Sequence, residues 1–341
     1  MHPRHGPSST LNLALQGGGA HGAFTWGVLD ALLEDGQFDF EGISGTSAGA
    51  MNALCVGHGL MAGGREGARE ALARFWTGVA GSAPFAAGGE ASPKIPAAMK
   101  LMLQWTDYLS PEQLNPLDLN PLRDILGAQF DFERLRRDCP VKLFIAATHA
   151  NSGQLRIFHN HELSVDALLA SACLPTIHRT IVIDGEPYWD GGYSANPAVF
   201  PLAWQCRAPD ILLVLLTPLR YAATPESAAD IRHRLLELSF NSTFLREMRM
   251  FAHLREQAGQ RWLPQWLPGR SLEKRVAQLQ FHAITADAFL GELPADSKLA
   301  VSLPFFEHLR DNGREHAQQW LARHRGDVGR RNSLDLRQLF Y

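Results

Sequence analysis

Residues 11–22 read LNLALQGGGAHG, an apolar run from Leu11 to Leu15 that ends in three consecutive glycines, Gly17, Gly18 and Gly19, with a fourth at Gly22. A second apolar run, Phe38 to Ile43, ends in Gly45-Thr46-Ser47-Ala48-Gly49. Both stretches predict a strand, a tight turn and then a helix. The first turn bares backbone N–H groups to something negative; the second bares a serine hydroxyl. In G-x-S-x-G the nucleophile sits on a strained strand-to-helix turn, and the positions two before and two after it come so close that side chains would collide. Gly45 and Gly49 meet that need. The helix predicted from Ala48 to about His58, rich in small residues, would direct its positive end at Ser47.

Gly17-x-Gly19-x-x-Gly22 also fits the dinucleotide-binding fingerprint, which calls for a ribose-binding acid at the end of the second strand. Asp39 and Glu41 are within range, yet that strand ends in Ile43-Ser44-Gly45. An oxyanion hole accounts for both turns, because glycine amides can point unobstructed at a charge developing about 3 Å away. A third turn, Tyr188-Trp189-Asp190-Gly191-Gly192, follows the β-branched run Thr180 to Ile183, and Asn196-Pro197 closes its loop. Alone it is an ordinary turn signal. Beside the other two it offers a carboxylate to act as base.

These three motifs, in this order and near these separations, resemble the patatin-like phospholipase family. The resemblance covers roughly residues 10 to 205 and includes Ala170-Ser171-Ala172-Cys173-Leu174-Pro175 ahead of Asp190. The C-terminal part looks like the tail of bacterial patatin-like proteins, some described as polyhydroxybutyrate depolymerase-like. The resemblance implies a three-layer α/β/α sandwich with additional C-terminal helices, and a Ser-Asp dyad without histidine. Ser47 matches the nucleophile, Asp190 the base, Gly17, Gly18 and Gly19 the oxyanion hole, and Gly22, Gly45, Gly49, Gly191 and Gly192 the elbow and turn glycines. It implies no cofactor and no metal. Many members carry Asp before the glycines and Arg or Lys at the position of His21; this chain has Gln16 and an imidazole. His21 is therefore an auxiliary candidate whose hold on the glycine loop or on an anionic headgroup would depend on pH.

The expected activity is hydrolysis of phospholipid or lysophospholipid esters through an acyl-enzyme. A polyhydroxyalkanoate depolymerase, a general esterase of the same fold and a non-catalytic lipid-binding scaffold are the alternatives. A free aspartate, with a pKa of about 3.9, is a weak base, so burial should raise that of Asp190, with Tyr188 and Trp189 as its apolar cover. The rival mechanism is the Ser-Asp-His triad of α/β-hydrolases. Of the 14 histidines, His282 is best placed for it, but those enzymes spend several strands before the serine turn, whereas Ser47 follows only the second.

Composition sets the frame. The 341 residues are 45% apolar with a formal charge of −3, ample for a buried core and without the basic blocks of a nucleic-acid binder. Cys55, Cys139, Cys173 and Cys206 lack C-x-x-C spacing and read as small buried residues. No apolar segment approaches membrane-spanning length and no signal-peptide core is visible, so a cytoplasmic enzyme reaching lipid from the water side, peripherally at a membrane, is the expectation.

Strands are predicted near 11–16, 38–43, 141–148, 154–159, 180–183, 210–216 and 278–284, separated by helices, with Asn120 and Ser164 as helix caps. The predicted organisation is a disordered start (1–9), a catalytic core (10–205), a continuation of the same domain with added helices (206–324) and a tail (325–341). Residues 81–109 combine a Gly/Ala/Ser/Pro-rich stretch with an apolar one and suit either a lid or a core helix. Glu226 to Gln257 repeats apolar residues at helical spacing among arginines, the pattern of a helix packing on its own core or lying on an anionic surface.

Overall fold

The run Leu11 to Leu15 is wholly buried, as a central parallel strand covered on both faces requires. In the computed structural model, described over residues 9–82, 109–221, 223–260 and 271–340, it lies in β1 (Ser9–Leu15) at the heart of an eight-stranded mixed sheet. β1 pairs in parallel with β2 (Phe38–Thr46) and β7 (Asp210–Leu215), β2 with β3 (Lys142–His149), and β7 with β8 (Gln280–Thr285). β4 (Leu155–His159) and β6 (Glu186–Asp190) run antiparallel to β3, and β5 (Ile181–Ile183) antiparallel to β6. The order is β5-β6-β3-β2-β1-β7-β8, with β4 also on β3.

Helices cover both faces. On one side α1 (Gly22–Asp35), α2 (Ala48–Gly81) and the helix Leu303–His324 bury Phe24, Leu29, Leu54, Trp76, Phe305 and Leu309 against the sheet. On the other, the helices Phe200–Gln205, Ala228–Gln260, Ser271–Gln278 and Leu336–Phe340 bury Leu202, Phe244, Met248 and Phe340. The result is the three-layer α/β/α architecture.

All seven predicted strands form. β6 is additional, and it carries Asp190. Asp184 and Gly185 both take positive φ, 53° and 84°, the geometry of a two-residue hairpin turn between β5 and β6. The Asp-Gly pair between Ile183 and Glu186 was the readable signal for it. Asn120 accepts from the Arg123 N–H at 3.4 Å and Ser164 from the Ala167 N–H at 3.1 Å, so both predicted caps operate. α2 runs well past His58, with its geometry broken at Gly63 and Gly64. Within residues 325–340, Val328, Leu336 and Phe340 are buried, and Phe340 packs edge-on to Phe244 at 5.8 Å. The four cysteines are free thiols, three of them buried.

The arginine-rich helix Ala228–Gln260 divides in two. Phe244, Met248, Phe251 and Ala252 face the core, whereas Ile231, Leu235, Leu236 and Leu238 are exposed. The start of the chain and most of residues 81–109 lie outside the described residues.

Candidate active site

Ser47 joins β2 to α2 with φ 54° and ψ −121°, a conformation that costs an L-residue about 1–3 kcal/mol and persists only where its surroundings fix it. They do so from three sides. Thr46 Oγ1 donates to the Ala195 carbonyl at 2.8 Å, the Ser47 N–H donates to Ser171 Oγ at 3.0 Å, and the Ala50 and Met51 N–H groups close the first helical turn on the Ser47 carbonyl. The flanking glycines are a steric necessity. A Cβ at Gly45 would lie 2.4 Å from the Gly49 carbonyl oxygen, and one at Gly49 2.2 Å from that of Leu15.

Asp190 ends β6, and β3 places it beside Ser47. Thr46 pairs with Ala146 and Asp190 with Ala147, so the two side chains emerge at one level on strands flanking β3. That is two strand spacings, about 10 Å between backbones, a gap that inward-turned side chains span. The carboxyl is buried, accepts from the Gly192 N–H at 2.7 Å and has the Ser47 hydroxyl beside it. Burial pushes its pKa up to about 7, against the opposing pull of those two donors. Gly191 and Gly192 make the approach possible, since a Cβ would lie 2.3 Å from the Ala146 carbonyl oxygen at the first and 2.0 Å from the Phe240 ring at the second. Strand alternation turns Trp189 to the opposite face, where its indole donates to Thr180 Oγ1 at 2.9 Å. Phe240 lies beside Gly192 in its place, its ring tilted against that of Tyr193 with centroids 4.6 Å apart.

The glycine turn follows β1 in the same layer. The Gly17 N–H donates to Asn196 Oδ1 at 2.7 Å, which narrows the expected set of three free amides to Gly18 and Gly19. Neither has a protein acceptor among the described residues. Gly19 takes φ +57°, and a Cβ there would meet the Lys298 carbonyl oxygen at 2.3 Å.

The model of the patatin-like phospholipases matches residues 13–203, more than half of the chain and all three turns. The chain belongs to this family. Its members are lipid acyl hydrolases, and the chain is a lipid hydrolase in that general sense. No curated protein matches it. Among solved structures, VipD from Legionella pneumophila aligns with 94% of this chain and 67% of its own, at 16% identity and a TM-score of 0.38. The ExoU-SpcU complex from Pseudomonas aeruginosa aligns with 98% of this chain and 74% of its own, at 17% identity and a TM-score of 0.28.

In this patatin-like chain Gln16 stands where an aspartate is common. Its Oε1 accepts from the Leu216 and Thr217 N–H groups, and its Nε2 donates to the Asn196 carbonyl at 3.3 Å, so it locks the ends of β1 and β7 to the loop after Asp190. His21 departs from the expectation of a pH-dependent contact. It is buried with Nε2 2.7 Å from Ser297 Oγ, and burial, reinforced by the Lys298 charge, lowers its pKa to about 3. The ring is neutral at physiological pH and ties the glycine turn to the segment Ala295–Leu299.

His282 does not join the site. It lies on β8, three strands from β2, paired with Leu212 of β7, with Nε2 3.0 Å from Asp210 Oδ1 and Nδ1 2.9 Å from Ser333 Oγ. Cavities of about 520 and 600 Å³, beside Asp35 and Arg325 and beside Arg255 and Arg337, contain neither Ser47 nor Asp190. Among the described residues no cluster of His, Cys, Asp or Glu could hold a metal ion, and no helix is long and apolar enough to cross a membrane. Sequence reading missed the parts played by Phe240 and Asn196. For Asn196 the signal was present in Asn-Pro closing the Asp190 loop; for Phe240, 50 residues downstream on another helix, there was none.

Proposed function

We propose that Ser47 and Asp190 form a two-residue acyl-transfer centre that hydrolyses carboxylic esters of phospholipids or lysophospholipids. One observation carries this reading: a buried carboxyl with a pKa near 7 beside a serine on a positive-φ strand-to-helix turn. Near neutrality such a carboxylate is a usable base, matched to its task as general catalysis requires.

Ionised Asp190 takes the Ser47 proton as Oγ attacks the ester carbonyl carbon. The negative charge moves to the carbonyl oxygen, where the Gly18 and Gly19 N–H groups and the N-terminal end of α2 stabilise it. Collapse breaks the bond to the alcohol, which leaves with the proton from Asp190. Water then attacks acyl-Ser47 with Asp190 again as base, releasing the fatty acid and restoring the serine. His21 supports the glycine turn and carries no charge in any step.

The exposed aliphatic residues Ile231, Leu235, Leu236 and Leu238 lie within the roughly two and a half helical turns before Phe240, which abuts Gly192. Exposed Arg232 stands among them. Apolar residues beside a cation, continuous with the rim of the site, suit contact with an anionic lipid surface.

The test is fatty-acid release from phosphatidylcholine vesicles, lysophosphatidylcholine and hydroxybutyrate oligomers, by wild type, Ser47→Ala and Asp190→Asn. Release from either lipid, lost in both folded variants, supports the reading. Cleavage of the oligomer alone would make the protein a depolymerase, and an active Asp190→Asn would remove the dyad.

A further inference from the structure

The loop between Asp190 and the helix Phe200–Gln205 touches every part of the site. Ala195 accepts from Thr46 Oγ1 at 2.8 Å, Asn196 Oδ1 from the Gly17 N–H at 2.7 Å, and Ala198 from Ser44 Oγ at 2.5 Å. Asn196 is 4% exposed, and its own carbonyl accepts from Gln16 Nε2. Gln16 in turn reaches Asn241 Oδ1 at 3.4 Å on the helix Ala228–Gln260. Of these contacts, the one to Gly17 alone joins a side chain of the acid-bearing loop directly to the glycine turn.

Gly17 is closely packed, yet packing alone does not set the direction of its amide. It packs against the Thr46 carbonyl and Ser47 Cβ, where a Cβ of its own would lie 2.6 and 2.9 Å away. A peptide plane there can still rotate, because glycine tolerates most φ and ψ. Rotation of the Gly17 amide would carry the next two amides with it.

We propose that Asn196 is a positioning residue for the oxyanion site: by fixing the Gly17 N–H, it aims the Gly18 and Gly19 N–H groups at the ester oxygen above Ser47. The inference rests on the reading of Ser47 as nucleophile and concerns a residue that touches neither substrate nor Ser47 Oγ. Donors of this kind must be held to within a fraction of an ångström, and their effect falls on the transition state rather than on substrate binding.

The experiment compares wild type, Asn196→Ala and Asn196→Asp on one soluble short-chain ester, reading kcat, KM and the pH profile, with thermal unfolding as the check on folding. Loss of the acceptor in Asn196→Ala should lower kcat by about 10–100-fold while KM changes by less than about threefold. Asn196→Asp keeps an acceptor for the Gly17 N–H and should recover part of kcat. Its added negative charge should move the acid limb of the profile to higher pH, because it opposes ionisation of Asp190.

A folded Asn196→Ala with wild-type kcat overturns the proposal. So does loss in Ala and Asp alike with no displacement of the profile, which marks a merely structural residue. If Asn196→Ala does not fold, Asn196→Ser, whose shorter side chain withdraws the acceptor from the Gly17 N–H, is read in the same way, and wild-type kcat in that variant overturns the proposal. A wild-type protein without esterase activity would instead strike the proposed function, and is recognised before any variant is made.

Discussion

The Gly192 N–H donates to Asp190 Oδ1 at 2.7 Å, which makes it the nearest fixed donor to a carboxyl otherwise closed off from water. One backbone donor and one serine hydroxyl do not offset the desolvation, and the carboxyl stays protonated up to about pH 7. The base is then half available at neutrality. We expect kcat/KM to rise with pH through a single acid limb with its midpoint near 7, as measured on a soluble ester. A limb near 4 would mean that the carboxylate is solvated as it works.

The same shift acts on stability with a definite sign. Asp190 binds its proton more tightly in the folded than in the unfolded chain, so stability falls as pH rises from about 4 to about 7. Asp190→Asn keeps the acceptor for Gly192 and removes the buried charge. It should be inactive, and more stable than wild type above pH 7 by on the order of 4 kcal/mol at most, with the gain vanishing below pH 4. Urea unfolding at pH 5 and pH 8 checks it. Glu247, half-buried and raised to about 7 by desolvation while holding the Val199 and Phe200 N–H groups, leaves the variant a similar but smaller dependence of its own.

At the serine turn the limit is steric. Gly45→Ala would place a Cβ 2.4 Å from the Gly49 carbonyl oxygen, a backbone atom that cannot step aside. The expected cost is about 1–3 kcal/mol or more, with loss of serine reactivity. Gly153→Ala offers a contrast within the same protein. Nothing lies within 4 Å of its Cβ, but φ is +70°, so its strain is local and the site should keep its activity.

How much of this was legible beforehand depended on whether a residue acts through local geometry. The serine and glycine turns declare themselves because close backbone approach leaves glycine as the sole option at Gly45, Gly49 and Gly19, and the order of apolar runs gives the parallel sheet. Asp190 was legible as a turn but not as a strand end. The pKa shift of His21 was not legible at all, because its burial depends on Ser297 and Lys298, far along the chain. The helix Ala228–Gln260 has one periodicity throughout, yet only tertiary packing decides that Met248 is buried and Leu235 is not.

His282 tests the alternative triad. His282→Gln retains a group able to donate to Asp210, and should cost about 1–3 kcal/mol of stability. Its esterase activity should match that of wild type at temperatures where it is folded. A selective loss of acyl-enzyme formation would restore histidine to the mechanism.

The exposed leucines predict a division between substrates. Leu235→Ser, Leu236→Ser and Leu238→Ser together should lower activity on anionic phospholipid vesicles and leave a soluble short-chain ester unaffected, since none of the three faces the core. An equal fall on both substrates would assign them to the fold.

A serine nucleophile activated by Asp190 reacts with electrophilic phosphorus as it does with an ester carbonyl. The most direct measurement is to treat the purified protein with a fluorophosphonate and locate the adduct by peptide mass spectrometry. One phosphonylated residue, Ser47, should form in wild type and be suppressed in Asp190→Asn. A folded wild-type protein that stays unlabelled, or a label on another serine with Ser47 untouched, would contradict it.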